Sequence, residues 1–448
     1  MPTTTGKIYL GTTLVSGVTP DSGWVRPSDW IAMPIITSSE QKAAALVLVG
    51  DNNSNFFAFR CSKEYTVDWG DGIIENIATG VTAQHNYVYS SLSASTEIGP
   101  IGSKMRQAMI VITPQAGVDL TSISFNFKHS ALGITSYTTP ILEITLSAPN
   151  CTTLAIGGTI AGTRLLQQCT ILSHNATNLE NLFNVCSSLQ SVPLFNTSAV
   201  TSINGMFSGC SSLQNVPLLN TSAVTNMNFM FNFCPSLQNI PLFNTSAVTN
   251  MISMFTGCSS LQGIPLLNTS AVTNMTSMFT GCTSLQGIPL LNTSAVTNMS
   301  SMFSNCTSLQ SMPLLNTSAV TNMTSIFSGC TSLQSISLFN TSLAQSMAVM
   351  FNNCRSLQSI PALDCSSATN MSLFVSSGSS LKRVLATGIK SSVSFSSSTL
   401  GATELNEIYT NLADLTALPT QTITVSNNYG TATDNRAIAT AKNWTVAG

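Results

Sequence analysis

Apolar and polar positions along this chain keep two rhythms. From about residue 178 to 375 the pattern returns every 24 residues, with Phe183, Phe207 and onward to Phe351 each followed three places later by Cys186, Cys210 and onward to Cys354. Eight copies run without insertion or deletion. In the first half of a copy, Leu189, Val192 and Leu194 alternate as a short strand does, which predicts a sheet. In the second half, Val200, Ile203, Met206 and Phe207 recur at i, i+3, i+6 and i+7, which predicts a short helix entered at Thr197 or Ser198 and stopped at Gly209. One copy cannot bury such a face alone, so neighbouring copies stack, about 40 Å for eight at strand spacing. Weaker copies flank the array, with Leu165 and Leu381 one period outside it.

Outside the array the pattern is shorter and mixed. The segment 65–89, YTVDWGDGIIENIATGVTAQHNYVY, reads as strands around a W-G-D-G turn, and MIVITP at 109–114 as a further strand. Asp68 and Asp71 read as caps of a tight Asp-Gly turn, with a calcium site as the other reading; no metal or cofactor is assigned. Toward the C-terminus, ELNEIYTNLADL predicts a helix, TITVSNN a strand, and AIATAKNWTV a last helical turn and strand closing the core with Trp444.

Composition narrows the function. Only 7% of the 448 residues are charged, against roughly 25% in ordinary soluble chains, and the net charge is -2. Fifteen Lys and Arg, scattered, form no patch for nucleic acid and no polybasic anchor. No 18-residue apolar stretch occurs, so no membrane insertion is expected. The start, MPTTTGKIYLGTTLVSG, lacks a secretory pattern, so folding in a cytoplasm is expected. Eight of the twelve cysteines obey the period and read as small buried hydrophobes, a disulfide or metal role being the alternative. Between Asn181 and Cys354 there is no Asp, Glu, Lys, Arg or His, which removes every ordinary acid, base and carboxylate ligand from the array. Glu404 and Glu407, three apart on the predicted helix, read as a solvated face, and no enzyme is expected.

Binding remains. If Val192 and Leu194 point inward, alternation turns three rows outward. The first is Gln190, Gln214, Gln238, Gln262, Gln286, Gln310, Gln334 and Gln358. The second is Pro193 to Pro313, and the third is Phe195, Leu219, Phe243, Leu267, Leu291, Leu315 and Phe339. An outward apolar row marks an interface. The recurring Pro argues either that the strands are two or three residues long or that the assignment is reversed, which would make the Phe/Leu row core. Amides beside apolar rows suit a carbohydrate, and low charge favours a homo-oligomer.

The run S-A-V-T-N-M-x-x-M-F-x-x-C-x-S-L-Q resembles the BspA-like leucine-rich repeats, whose period of 20 to 29 includes 24. Residues 65 to 89 resemble a PKD-like β-sandwich. Together they imply an α+β chain: a docking segment at 1–35, a PKD-like β-sandwich at 36–150, a leucine-rich-repeat solenoid at 151–375 and a C-terminal cap at 376–448. The pairing resembles bacteriophage virion proteins. It implies a tail-fibre-type host-recognition protein, a trimer, partnered by tail or baseplate proteins through Trp24, Arg26 and Trp30, and by a host cell-surface glycan or protein. A self-assembling decoration or filament subunit and a bacterial cell-surface adhesin are the alternatives.

Overall fold

The computed structural model describes residues 24–51, 55–98, 104–132, 137–158 and 161–448. Most of the expected docking segment therefore lies outside the described residues. The chain divides into two compact units, Met1–Ala223 and Val224–Gly448.

In the first unit, the apolar strand Lys42–Gly50 lies between Met105–Pro114 and Ile141–Ser147, antiparallel to both. Tyr65–Asp68 pairs with the outer side of Met105–Pro114 and, through the W-G-D-G turn, with Ile74–Ile77. Gln168–Ser173 adds a parallel edge against Ile141–Ser147. A second sheet holds Phe56–Cys61 between Ala83–Asn86 and Ser122–Ser124. The two sheets meet through aromatic rings: Phe59 lies 5.7 Å from both Tyr65 and Trp69. The turn is locked by close backbone approach, since a Cβ on Gly70 would lie 2.5 Å from the Met109 carbonyl oxygen. Asp68 accepts from the Gly70 N–H and Asp71 from the Ile73 N–H, which are the capping bonds an Asp-Gly turn uses.

In the second unit, 24-residue coils follow one another. Val272, Met275, Met278, Phe279, Cys282 and Leu285 are completely buried, and so are Val296, Met299, Met302, Phe303, Cys306 and Leu309 at the same positions of the next coil. The phenylalanines stack face to face from Phe231 through Phe351 at 5.6 to 5.9 Å. Phe374 and Phe395 then turn edge-on at the C-terminal end. There Met371–Ser376, Val393–Ser396, Gln421–Thr424 and Trp444–Ala447 form a parallel sheet, and the helix Ala402–Asn411 packs beside Arg383–Val384 and the short helix Ala437–Thr440. Trp444 is buried and donates to the Ala413 carbonyl, closing the end as its sequence position suggested.

Both halves of the coil differ from the sequence expectation. The expected helical half keeps its buried face but is a run of turns. Ser277 and Gly281 have φ of 56° and 73°, and left-handed residues four apart recur in each coil. A right-handed helix cannot pass through them. Instead alternate N–H groups bond the next coil: Met275, Ser277, Phe279 and Gly281 donate to the carbonyls of Asn298, Ser300, Met302 and Ser304. The expected sheet half is reduced to single bonds such as Gln286 N–H to the Gln262 carbonyl, and Pro289, three residues later, has no N–H to continue it. Two buried polar ladders complete the cross-linking. Thr245, Thr269, Thr293 and Thr317 donate their hydroxyls to the carbonyls of Asn268, Asn292, Asn316 and Asn340 at 2.7 to 2.8 Å. Each of Cys282, Cys306 and Cys330 donates its thiol to a Phe carbonyl of the preceding coil.

Candidate binding surface

The outward row is not the one that strict alternation gives. Phe195 and Leu219 in the first unit, and Phe243, Leu267, Leu291, Leu315 and Phe339 in the second, are buried. Their preceding neighbours are the exposed ones: Leu194 and Leu218, then Leu242, Leu266, Leu290, Leu314 and Leu338, at 58 to 63% exposure. The reversed assignment is therefore correct at this pair. Without a continuous strand, period-two alternation has no backbone to impose it, and Val192 and Phe195 both reach the core three residues apart.

Gln190 and Gln214, and Gln238, Gln262, Gln286, Gln310 and Gln334, are exposed as expected. A further row went unread in the sequence. Two residues after each exposed leucine stands an exposed Asn whose Oδ1 accepts from the N–H and hydroxyl of the Ser two places on, as in Ser270 to Asn268 at 3.1 and 2.8 Å. The same pair recurs at Asn292 with Ser294 and Asn316 with Ser318. Pinning the oxygen fixes which way the carboxamide faces, so its Nδ2 is held as a pre-set donor. The repeated N-T-S triplet, as at Asn268 to Ser270, was the available signal. In each coil, then, an exposed leucine stands beside an oriented amide donor, with a Gln amide four residues before the leucine.

In the first unit this stripe borders a concavity of about 400 Å³, lined among others by Leu172, Leu194, Asn196, Leu218 and Asn220. His174 closes in beside it, its ring 5.9 Å from Phe195. Burial holds His174 below its ordinary pKa, and its Nδ1 accepts from the Ala176 N–H.

The residues expected to dock elsewhere are committed within the chain. Trp30 is buried against Leu46 and Leu142, with Trp24 packed beside it. Arg26 pairs with Glu143 at 2.7 Å and donates to the carbonyls of Trp30 and Ile31. Burial raises the Glu143 carboxyl above its ordinary range, and the Arg26 guanidinium opposes that shift. Trp24, Arg26 and Trp30 thus pack against this chain's own sheet. Glu407 is likewise paired, with Arg383 at 2.9 Å. The cysteines are all buried thiols, and no cluster of His, Cys, Asp and Glu fit for a metal occurs among the described residues. No helix among them is long and apolar enough to cross a membrane.

Residues 177–289 and 278–387 match a family described as a Mycoplasma protein of unknown function, DUF285. No curated protein matches the chain. Among solved structures, a leucine-rich repeat protein from Eubacterium ventriosum is similar at 15% identity, covering 77% of this chain and 95% of its own, with a TM-score of 0.39. A leucine rich cell surface protein from Faecalibacterium prausnitzii is similar at 16% identity, covering 58% and 94%, with a TM-score of 0.27.

Proposed function

We propose that this chain is a non-enzymatic binding protein of the leucine-rich-repeat type, whose coils present the Leu and Asn stripe to a cell-surface glycan or protein. The observation that carries this reading is the recurrence of an exposed leucine beside an oriented Asn donor in successive coils. An apolar side chain at about 60% exposure is unremarkable once; five in one unit, at one repeat position, form an apolar row of the kind that marks interfaces. The absence of acid or base from Asn181 to Cys354 fits binding without chemistry. The two-sheet region before the coils suits a PKD-like spacer. The pairing of the two sequence resemblances supports a virion-borne host-recognition role, acting as a homo-oligomer.

The test is substitution of Leu266, Leu290 and Leu314 by Asn, which leaves the core untouched. Adhesion of labelled protein to host cells is expected to fall while the melting temperature holds. Unchanged adhesion refutes the stripe as the contact. Immunogold microscopy with antibody to the N-terminal 150 residues locates the protein: gold at one end of phage particles supports the virion role, and gold on cell envelopes replaces it with a surface adhesin.

A further inference from the structure

The coil beginning the second unit departs furthest from the others at its two left-handed positions. The two left-handed positions of each coil carry Ser253 and Gly257, Ser277 and Gly281, Ser301 and Asn305, or Ser325 and Gly329 in the following four. Small or amide side chains suit positive φ, and bulky ones do not. Here the pair is Phe229 and Phe233, both at φ 55°. Val185, Val349 and Leu373 are bulky at one such position in their own coils, and among the described residues this is the one coil with large apolar side chains at both. Neither ring is hidden to offset that strain: Phe229 is 40% and Phe233 61% exposed. The coil nevertheless keeps its bonds to the next, with Phe229 and Phe233 donating to the carbonyls of Ile252 and Thr256. Backbone strain at two solvent-facing aromatic rings in one coil is a conflict between local preference and observed conformation of the kind that concentrates at functional sites.

The pair lies on the wall opposite the leucine stripe. Phe231, between the two exposed rings in sequence, points inward and meets Phe243 at 6.5 Å, while Leu242 beside Phe243 points out from the other side. Phe233 is also seated rather than loose. A Cβ on Gly257 would lie 2.8 Å from its Cδ1, so the ring rests where the next coil has no side chain. Around the pair stand Asn232 and Ser253, half-buried, with no side-chain hydrogen bond to the rest of the described chain. No charged residue occurs in this coil or the four that follow.

We infer that Phe229 and Phe233 form a second binding site, an aromatic platform for a neutral glycan. Sugar rings offer apolar C–H faces that lie on an aromatic ring, and their hydroxyls bond amides and hydroxyls such as those of Asn232 and Ser253. A surface without charge gives no attraction to an acidic polysaccharide. The inference rests on reading the chain as a binding protein, but it uses residues and a wall that the leucine stripe does not.

The test compares the full chain with the double variant Phe229→Ser and Phe233→Asn, residues that other coils carry at these positions. Both are measured on an array of neutral and acidic glycans, and by thermal melting, with the Leu266, Leu290 and Leu314 triple Asn variant alongside. The expected result is binding of a neutral glycan by the parent chain. The double variant should lose roughly tenfold or more in affinity, as truncating an aromatic anchor does, with a melting temperature equal to or above the parent's. A lower melting temperature would make the pair structural and overturn the site. Undiminished glycan binding in the double variant, lost only in the leucine variant, would overturn the site and leave the stripe standing. Binding of no neutral glycan by the parent chain, or of acidic ones alone, would overturn the ligand class.

Discussion

The threonine ladder of the second unit contains its own control. Thr293 and Thr341 hold the same repeat position and are equally buried, each 1% exposed. The Thr293 hydroxyl donates to the Asn316 carbonyl at 2.7 Å, whereas Asp364 stands where the next coil would repeat that Asn, and the Thr341 hydroxyl has no partner. Replacing Thr293 with Val keeps the shape and orphans the Asn316 carbonyl. That bond is part-buried, so leaving its acceptor unpaired costs about 1 kcal/mol, the low end for an orphaned group, offset in part by the new methyl group. The same change at Thr341 removes a hydroxyl that is already unpaired, so stability should hold or rise by up to about 1 kcal/mol. Urea unfolding followed by circular dichroism reads both, as a shift in midpoint at constant slope. Equal destabilisation by the two variants would refute the claim that the hydroxyl bond, rather than the position's packing, joins the coils.

Other expectations follow from the same interior. Phe279→Ala removes a ring stacked at 5.6 Å on both Phe255 and Phe303 and should cost about 3 to 5 kcal/mol by urea unfolding; a loss under about 1 kcal/mol would show that the ring row is not core. Burial pushes the thiols of Cys258, Cys306 and Cys354 up to about 12, so the native chain at pH 8 should resist iodoacetamide by mass spectrometry and react fully only in denaturant. Because burial lowers the folded pKa of His174, its neutral form's contribution to stability is present above the unfolded value near 6.5 and is lost as pH falls through the folded value. His174→Gln should therefore flatten the acid-side fall in melting temperature, and an unchanged slope would exclude His174 as its source. Affinity of the repeat surface for its ligand should barely change between 50 and 500 mM salt, and a steep fall would point to a charged contact elsewhere in the chain.

Much of this was legible from the sequence, for reasons that differ by element. The period announced itself through Phe and Cys, the burial of Val200, Ile203, Met206 and Phe207 through spacing, and the helix at Ala402–Asn411 through its apolar face. Backbone geometry was misread where one spacing fits two conformations. Apolar residues at i, i+3 and i+7 suit a helix, and they equally suit a chain of turns in which every fourth residue is left-handed. Gly209 looked like a helix stop. Its equivalents, Gly257, Gly281 and Gly329 alternating with Asn305 and Asn353, were the sign of the second case, since Gly and Asn are the residues that tolerate positive φ. The exchange of Leu194 for Phe195 came from applying strand alternation to a segment whose proline forbids a strand. The pinned carboxamides were hidden because a sequon-like N-T-S triplet does not say which of its atoms face outward.

The scarcity of charge then follows from the repetition itself. Copies that stack in register place like side chains beside like, about 5 Å apart at strand spacing. A unit charge at the exposed leucine position would meet its equal in each neighbouring coil, at roughly 0.8 kcal/mol per pair even in water. Over the five coils from Leu242 to Leu338 that makes four such pairs, about 3 kcal/mol, a large fraction of an ordinary domain's net stability. A strictly repeated coil is thereby driven to Ser, Thr, Asn and Gln for its surface. A ligand on such a surface would be held by hydrogen bonds and apolar contact, and a departure from the repeat, such as Phe229 with Phe233, stands out against it.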